Sequence, residues 1–462
     1  MRVAHLLRKY DPTEWGGTET AIARLTAGLA AQGVDSVVYA PRLPRTMTAA
    51  EGASQLSDMG GTPMPPVTAA KRGTGVPPVD SQQTGRRPAA DPLVAAGCVV
   101  RRFRAFVPVW GIAAERKRQL VAVGGNLLSF DLPGALWREP GLDVIHAHVL
   151  GRLGAIGRAV ARRRRLPFVL SVHGGAYDLP SAVRQGLVQP AAGGWDWGQL
   201  LGFLLRARHL FAESDAIITC NQREAALIRE RHPGRRVFVQ PHGVPAALFA
   251  PDHRPAARAA FPALIGRSVL LVLGRIDPTK NQEWLVAQAA ELTRRHPRIL
   301  LVFVGAGTNQ KYCDALRTRV ARESLRDCVL LAGHLPPGDP RLIGLLQEAQ
   351  AVVLPSVCET FGIVILEAWA AGTPVIASRT TGAAALVEDG VNGLLFDLDR
   401  PASFHAAIDR LLTQPELHGQ WGTAGRAKVV AEYDTAVLAG RMKRIYQELM
   451  EEKNAHRNSA RR

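Results

Sequence analysis

Two carboxylates, Glu359 and Glu367, stand eight residues apart in the stretch AVVLPSVCETFGIVILEAWAAGTPVIAS, residues 351–378. The apolar run Ala351 to Leu354 predicts a buried parallel strand, which Pro355-Ser356 breaks. The apolar segment that follows predicts a helix over 362–371, and Pro374 to Ala377 a second strand. A helix entered at Gly362 presents unpaired amides and the positive end of its dipole, a site ready for an anion or a sugar hydroxyl. Glu359 falls in the loop. Glu367 falls inside the helix among Ile365, Leu366, Ala368 and Trp369, where a carboxylate is costly to bury without a partner. Solvated surface carboxylates are the ordinary alternative, but the strand–turn–helix setting favours a site.

Cations are available to such a site. Arg275 and Lys280 follow a predicted strand, Val269 to Leu273, with Asp277-Pro278-Thr279 forming a turn between them. A forked Arg and a point-charge Lys on one loop suit a diphosphate leaving group that gains charge. His173 follows another predicted strand, 167–172, and is placed to hydrogen-bond a sugar or to stabilise developing positive charge; a structural histidine is the alternative. His146 and His148 end a neighbouring strand, where a structural role is expected. Gly16-Gly17, just before a helix over 18–32 with Thr18 as its N-cap, would let a phosphate approach the backbone.

These residues need a scaffold that carries them to one edge. Strand and helix patterns alternate through the chain, which predicts parallel sheets with helices on both faces. In such sheets ligands sit at the carboxyl ends of the strands. The reading is an α/β protein of two doubly wound, Rossmann-like domains facing across a cleft. The first is expected over 1–243 and the second over 244–429, with a Pro-containing linker stretch without strands at 245–268. The tail from 416 is expected to be helical, and its part 430–452 to pack back on the first domain. Residues 44–92 are rich in Pro, Gly, Ser, Thr and Gln and contain a local repeat, 61–67 against 73–79; disorder is expected there. Loops around Gly16, 176–180 and 184–198 are expected to shape an acceptor site.

The 462 residues, 47% apolar, suffice for two cores, and no apolar run is long enough to span a bilayer. The N-terminus lacks the features of a signal peptide. Five scattered cysteines form no Cys-x-x-Cys pair, which argues against a disulfide framework or a zinc site and for a cytoplasmic location. The net charge of +17 is spread over the chain without an aromatic-interleaved basic motif, so no nucleic-acid partner is expected; an anionic membrane surface remains compatible. A nicotinamide enzyme is disfavoured because Gly305-Ala306-Gly307 lacks the third glycine of its fingerprint.

Glu359-Thr360-Phe361-Gly362 with Glu367, together with Arg275 and Lys280 after a buried strand, resembles the signature of the retaining glycosyltransferases of family 4, which have the GT-B fold. The resemblance extends to Gly16-Gly17, His173 and the Gly390, Asn392, Gly393 turn, and covers most of the chain outside 44–92. It implies a glycosyltransferase that moves a sugar from a nucleoside diphosphate sugar to a hydroxyl of a glycan or lipid-linked acceptor, with retention, in cell-envelope polysaccharide, lipopolysaccharide or glycolipid synthesis. By the same resemblance Glu367 would hold the ribose, and Arg275 and Lys280 the diphosphate. Glu359, with the amides of Phe361 and Gly362, would hold sugar hydroxyls. His173 would act from the first domain, and His148 would contact the acceptor. The chain departs from the family at Thr381-Gly382-Ala383-Ala384-Ala385, where a glutamate is common. No cofactor is called for. There is no Asp-x-Asp loop and two bases face the diphosphate, so no metal is called for either. A non-catalytic sugar-nucleotide-binding protein of the same fold is the competing reading.

Overall fold

The computed structural model describes residues 1–10, 16–42, 91–123, 127–177 and 193–459. The predicted insertion at 44–92 falls outside them over 44–90; its last two residues are ordered, Asp91 accepting the Leu93 amide and Pro92 opening a short helix, Pro92–Ala95. Of the loops expected at the acceptor site, 178–192 also lies outside the described residues.

Among the described residues, nine strands come from the first half: β1 (Arg2–Leu6), β2 (Asp35–Arg42), β3 (Val99–Arg104), β4 (Val109–Trp110), β5 (Val144–Ala147), β6 (Phe168–Val172), β7 (Trp195–Asp196), β8 (Ala216–Thr219) and β9 (Val237–Val239). Seven of them form a parallel sheet in the order β3-β2-β1-β5-β6-β8-β9, while β4 and β7 pair antiparallel beside it. The second half adds β10 (Ser268–Leu273), β11 (Ile299–Val304), β12 (Val329–Gly333), β13 (Ala351–Leu354), β14 (Val375–Ser378) and β15 (Gly393–Phe396), parallel in the order β12-β11-β10-β13-β14-β15. The central strands are rich in Val, Ile and Leu because helices cover both faces; every residue of β11, β13 and β14 is buried. Each sheet reverses its winding once, at β1/β5 and at β10/β13. Those switch points open crevices at the carboxyl edges.

The tail is helical, as expected, but in separate pieces. Helices Glu416–Lys428 and Thr435–Ser459 are separated by a π-helical turn, Val429–Tyr433, where the chain crosses from the second half to the first. The crossing is tied down by Val244 N–H to Tyr433 O (3.0 Å) and Thr435 N–H to Val244 O (3.2 Å). Asp434 accepts from the Ala246 and Ala436 amides at its two carboxylate oxygens. The last helix then lies along Gly17–Ala31, with Ala439, Met442, Ile445, Tyr446 and Leu449 sealing Val3, Val144 and Val169 of the first sheet. The 245–268 stretch is also more than a linker. It contains the helix Arg254–Ala260, whose Ala257 joins Phe249 and Leu264 in the core of the second half. Two of its prolines, Pro255 and Pro262, stand in the first turn of short helical elements, where a missing N–H costs nothing.

Because the last helix closes the first sheet, Met442→Ala, at a side chain that is 1% exposed, is expected to lower stability by about 2–5 kcal/mol in urea unfolding. A loss under about 0.5 kcal/mol would mean the helix does not seal that core.

Candidate active site

The loops after β10 and β13 meet at the second sheet's switch point. Gly274 starts the first loop, and Gly305 after β11 lies so close that a Cβ there would sit 1.8 Å from the Gly274 carbonyl oxygen. Asp277 shapes the turn by accepting the Thr279 and Lys280 amides (2.9 and 3.1 Å). Val357 N–H donates to Thr279 O at 2.9 Å and fastens this loop to the one carrying Glu359. The outcome is a direct ion pair between Lys280 and Glu359, both mostly buried. Arg275 lies on the same loop but is half-exposed and pairs with Asp277 at 3.2 Å. The two expected cations therefore have different partners: Lys280 faces the acidic loop and Arg275 the turn.

The helix after Glu359 is Ile363–Ala370. Gly362 stands at its N-cap with φ 93°, a conformation that favours glycine. The first helix, Gly17–Ala31, begins opposite: a Cβ on Gly17 would lie 3.7 Å from Ile363 Cδ1. Two helix N-termini thus face each other across the cleft. Thr18 is not the N-cap, as had been expected; Gly16 holds that position and Thr20 donates both its amide and its hydroxyl to Gly16 O. From these same helices come Arg24 and Glu367, joined in an ion pair with side chains 10% and 12% exposed. The cation that a carboxylate among apolar residues required is therefore Arg24, 343 positions earlier in the chain.

The first half supplies the opposite wall. His173-Gly174-Gly175 follows β6, and Gly174 (φ +94°) abuts Thr360, where a Cβ would come within 2.6 Å of the threonine side chain. Asn221, after β8, caps its helix by accepting the Glu224 amide (2.8 Å) and donates Nδ2–H to Thr360 O (3.1 Å). Buried Glu224 accepts the Ala176 amide at 2.7 Å, which anchors the end of the histidine loop. His242 stacks on His173 with ring centroids 5.3 Å apart and meets Phe361 edge-on at 4.9 Å. Gly382 closes the back, donating its amide to Glu359 O at 2.8 Å.

The sequence-predicted residues Gly16, Gly17, His173, Lys280, Glu359, Thr360, Phe361, Gly362 and Glu367 thus surround one cleft, and Arg275 stands at its rim. Arg24, Asn221, Glu224 and His242 were not singled out from sequence. Asn221 and His242 each lie just past a strand, at the ligand edge, and that position was the available signal. The Gly390, Asn392, Gly393 turn is structural: Asn392 O accepts the Trp369 indole N–H at 2.9 Å, and a Cβ on Gly393 would lie 2.3 Å from Val375 O.

His5, His146 and His148 bring nitrogens within 4.8 Å of one another in the first half, the spacing of a metal-ligand set. Hydrogen bonds use those nitrogens. His146 Nδ1 meets Tyr446 Oη and its Nε2 meets Ser171 Oγ, both at 2.6 Å, and His5 Nδ1 meets His148 Nε2 at 3.0 Å. The cluster fits a neutral hydrogen-bonded array better than a cation.

Burial sets its charge state. It depresses His5 to about 3 and His173 to about 4, and holds His148 and His242 well below the ordinary histidine range, where the neighbouring imidazoles add to the effect. A histidine whose folded pKa is lowered takes up protons in the unfolded chain first, so stability falls as pH drops below about 6.5. For His5 alone the loss is about 2 kcal/mol between pH 6.5 and 5, read by urea unfolding at each pH. Stability unchanged across that window would contradict a neutral buried array.

The residues 254–428 match the family described as glycosyl transferases group 1, and residues 16–243 match the glycosyl transferase 4-like domain. Among curated relatives, the D-inositol 3-phosphate glycosyltransferase of Kineococcus radiotolerans is 30% identical over 84% of this chain and 90% of its own length. That of Acidothermus cellulolyticus is 34% identical over 60% of this chain and 61% of its own length. Among solved structures, Anabaena HepE in complex with UDP superposes with a TM-score of 0.64 at 17% identity, covering 97% of this chain and 100% of that one. Sucrose-phosphate synthase from Thermosynechococcus elongatus gives 0.65 at 22% identity, over 98% and 99%. Two parallel sheets opening on one cleft are the GT-B arrangement, and the chain belongs to the group 1, family 4-type glycosyltransferases.

Proposed function

We propose that this glycosyltransferase moves a sugar from a nucleoside diphosphate sugar to an acceptor hydroxyl with retention of anomeric configuration. The observation that carries the reading is the meeting, in one cleft, of two helix N-termini with the Lys280–Glu359 and Arg24–Glu367 pairs. A diphosphate reaching this cleft meets Lys280 and Arg275, and a second anion at Lys280 competes with Glu359 for the ammonium. Glu359 and the Phe361 and Gly362 amides then serve the sugar hydroxyls, and Glu367 the ribose. The bond from the anomeric carbon to the phosphate oxygen breaks as the acceptor oxygen bonds on the same face, and the acceptor proton passes to the leaving phosphate. Positive groups at the departing diphosphate supply what a metal would otherwise provide. HepE was solved with UDP-glucose, which makes UDP-sugars the first donors to try.

The acceptor class we favour is a glycan or lipid-linked hydroxyl presented at an anionic membrane face, as in envelope polysaccharide, lipopolysaccharide or glycolipid synthesis. Its support is a run of aromatic rings beside the first sheet's ligand edge. Phe130, Phe106, Trp197, Trp110 and Trp195 follow one another at centroid spacings of 5.3–6.2 Å. The adjoining helix Gly198–Leu204 exposes Leu200, Phe203 and Leu204, and Arg206 and Arg208 follow it, also exposed. Aromatic and apolar side chains beside arginines suit a bilayer interface. Among the described residues no helix is long and apolar enough to cross a membrane. The relatives' name makes D-inositol 3-phosphate the second acceptor to test.

With labelled UDP-sugars, Lys280→Ala and Glu359→Ala are expected to lower turnover about 10²–10³-fold while the chain stays folded, and EDTA to leave the native rate unchanged. Near-native rates in both variants would refute the site. Steady turnover by the native chain would eliminate the binding-protein reading. The membrane reading is tested separately: Phe203→Asp is expected to weaken co-sedimentation with anionic vesicles roughly tenfold without changing donor hydrolysis. Equal sedimentation of both proteins would remove the patch from consideration.

A further inference from the structure

The histidines beside the cleft form a staircase. His5 on β1 is in register with His146 on β5, so His148 stands two residues further along, on the same face. β5 and β6 pair His146 with Val169, which puts His173 two residues beyond His148's level. Each step moves one strand over and one side-chain repeat closer to the ligand edge. The rings stack at 5.3 Å from His5 to His148 and at 5.1 Å from His148 to His173. Hydrogen bonds follow the same path. Ser36 Oγ lies 3.4 Å from His5 Nε2, His5 Nδ1 lies 3.0 Å from His148 Nε2, and His148 Nδ1 lies 2.9 Å from His173 Nε2. The last atom, His173 Nδ1, is buried and has no hydrogen-bond partner among the described residues.

A neutral imidazole has one N–H, so each link in the chain fixes the next. Among the described residues, His5 Nε2 is the acceptor offered to the Ser36 hydroxyl. If Ser36 donates there, His5 must carry its hydrogen on Nδ1 and donate to His148. His148 must then do the same toward His173. With Nε2 of His173 accepting, its hydrogen lies on Nδ1.

We infer that His5 and His148, started by Ser36, are positioning residues that hold His173 as its Nδ1–H tautomer, so that a buried N–H is presented to an oxygen of the bound donor or acceptor. This rests on the proposed function only in placing the substrate beside His173. It has a chemical consequence: the atom facing the ligand donates a hydrogen bond and is not a base. Neutrality keeps the array working, because a proton gained at any ring would turn an acceptor into a donor and break the sequence of bonds. The burial that depresses these histidines serves that end.

The test reads the tautomer directly. The full chain is labelled with ¹⁵N-histidine, and two-bond proton–nitrogen correlations are recorded without donor near neutral pH, with His173 assigned by its loss in His173→Gln. The native spectrum is expected to show a pyrrole-like Nδ1 and a pyridine-like Nε2 at His173. Ser36→Ala should convert this to a tautomer mixture and lower kcat about three- to tenfold, with donor KM within about twofold. His148→Gln can accept from His5 and donate to His173, so it should keep the native pattern; His148→Leu should lose it. Should His148→Leu fail to fold, the Ser36→Ala and His148→Gln spectra decide. A pyridine-like Nδ1 in the native chain overturns the inference, and so does a His173 signal unmoved by Ser36→Ala. Because the spectra need no turnover, an inactive chain would sink the proposed function and leave this result standing, and the reverse also holds.

Discussion

A carboxylate buried on an apolar helix must find a cation, and here the cation comes from the other half of the molecule. Glu367 lies on Ile363–Ala370, a helix otherwise made of aliphatic residues and Trp369, and Arg24 reaches it from the first helix. Removing one partner of such a pair leaves an uncompensated charge, at a cost of about 3–5 kcal/mol. The pair therefore ties together the two helices whose N-termini face each other, and with them the backbone amides that line the cleft. Specificity of this kind is a better reason for a buried ion pair than stability, since two apolar side chains would hold the halves together at least as well.

The second constraint is space. The loops of the cleft approach so closely that glycine is required where they touch: Gly305 against Gly274, Gly174 against Thr360, and Gly382 against Phe361 N, where a Cβ would lie 2.6 Å away. Such contacts let the backbone, and not only side chains, form the walls. One of them falls in the stretch that departs from the family pattern, 381–385. The stretch is a short helix, Thr381–Leu386, capped by Thr380, and its Gly382 amide holds the Glu359 carbonyl. On this side the glutamate loop is steadied by a backbone amide, and no carboxylate is contributed.

The β10 and β13 loops were legible in the sequence because local signals agree there: an apolar run, a breaking Pro or Gly, and charges just past the strand. Lys280, Glu359 and Glu367 could be placed at one edge on that basis. Their partners could not. Arg24 looks like any arginine on the polar side of an amphipathic helix, and nothing within its own helix marks a contact 343 residues away. His146 and His148 were visible as a pair, but the array that His148 enters needs His5 and Ser36 from two other strands, and the register of β1, β2 and β5 brings these together. The break inside the tail was hidden for a similar reason. The tail has helical periodicity throughout, yet the chain must cross between halves at 429–434, and that tertiary demand breaks the helix.

The excess of positive charge has a structural meaning that composition hides. Arg158, Arg164 and Arg267 donate to main-chain carbonyls, at Leu205, at Leu136 and Glu139, and at Arg298, Ile299 and Asp327 respectively. A guanidinium offers five donors in a fixed fork, so one side chain can satisfy several carbonyls at helix and strand ends that would otherwise need water. A lysine ammonium, a strongly hydrated point charge on a flexible stem, suits that task less well. Part of the arginine surplus therefore works inward, on the protein's own backbone. A charge of +17 thus coexists with a cleft whose central lysine and glutamates are paired one to one.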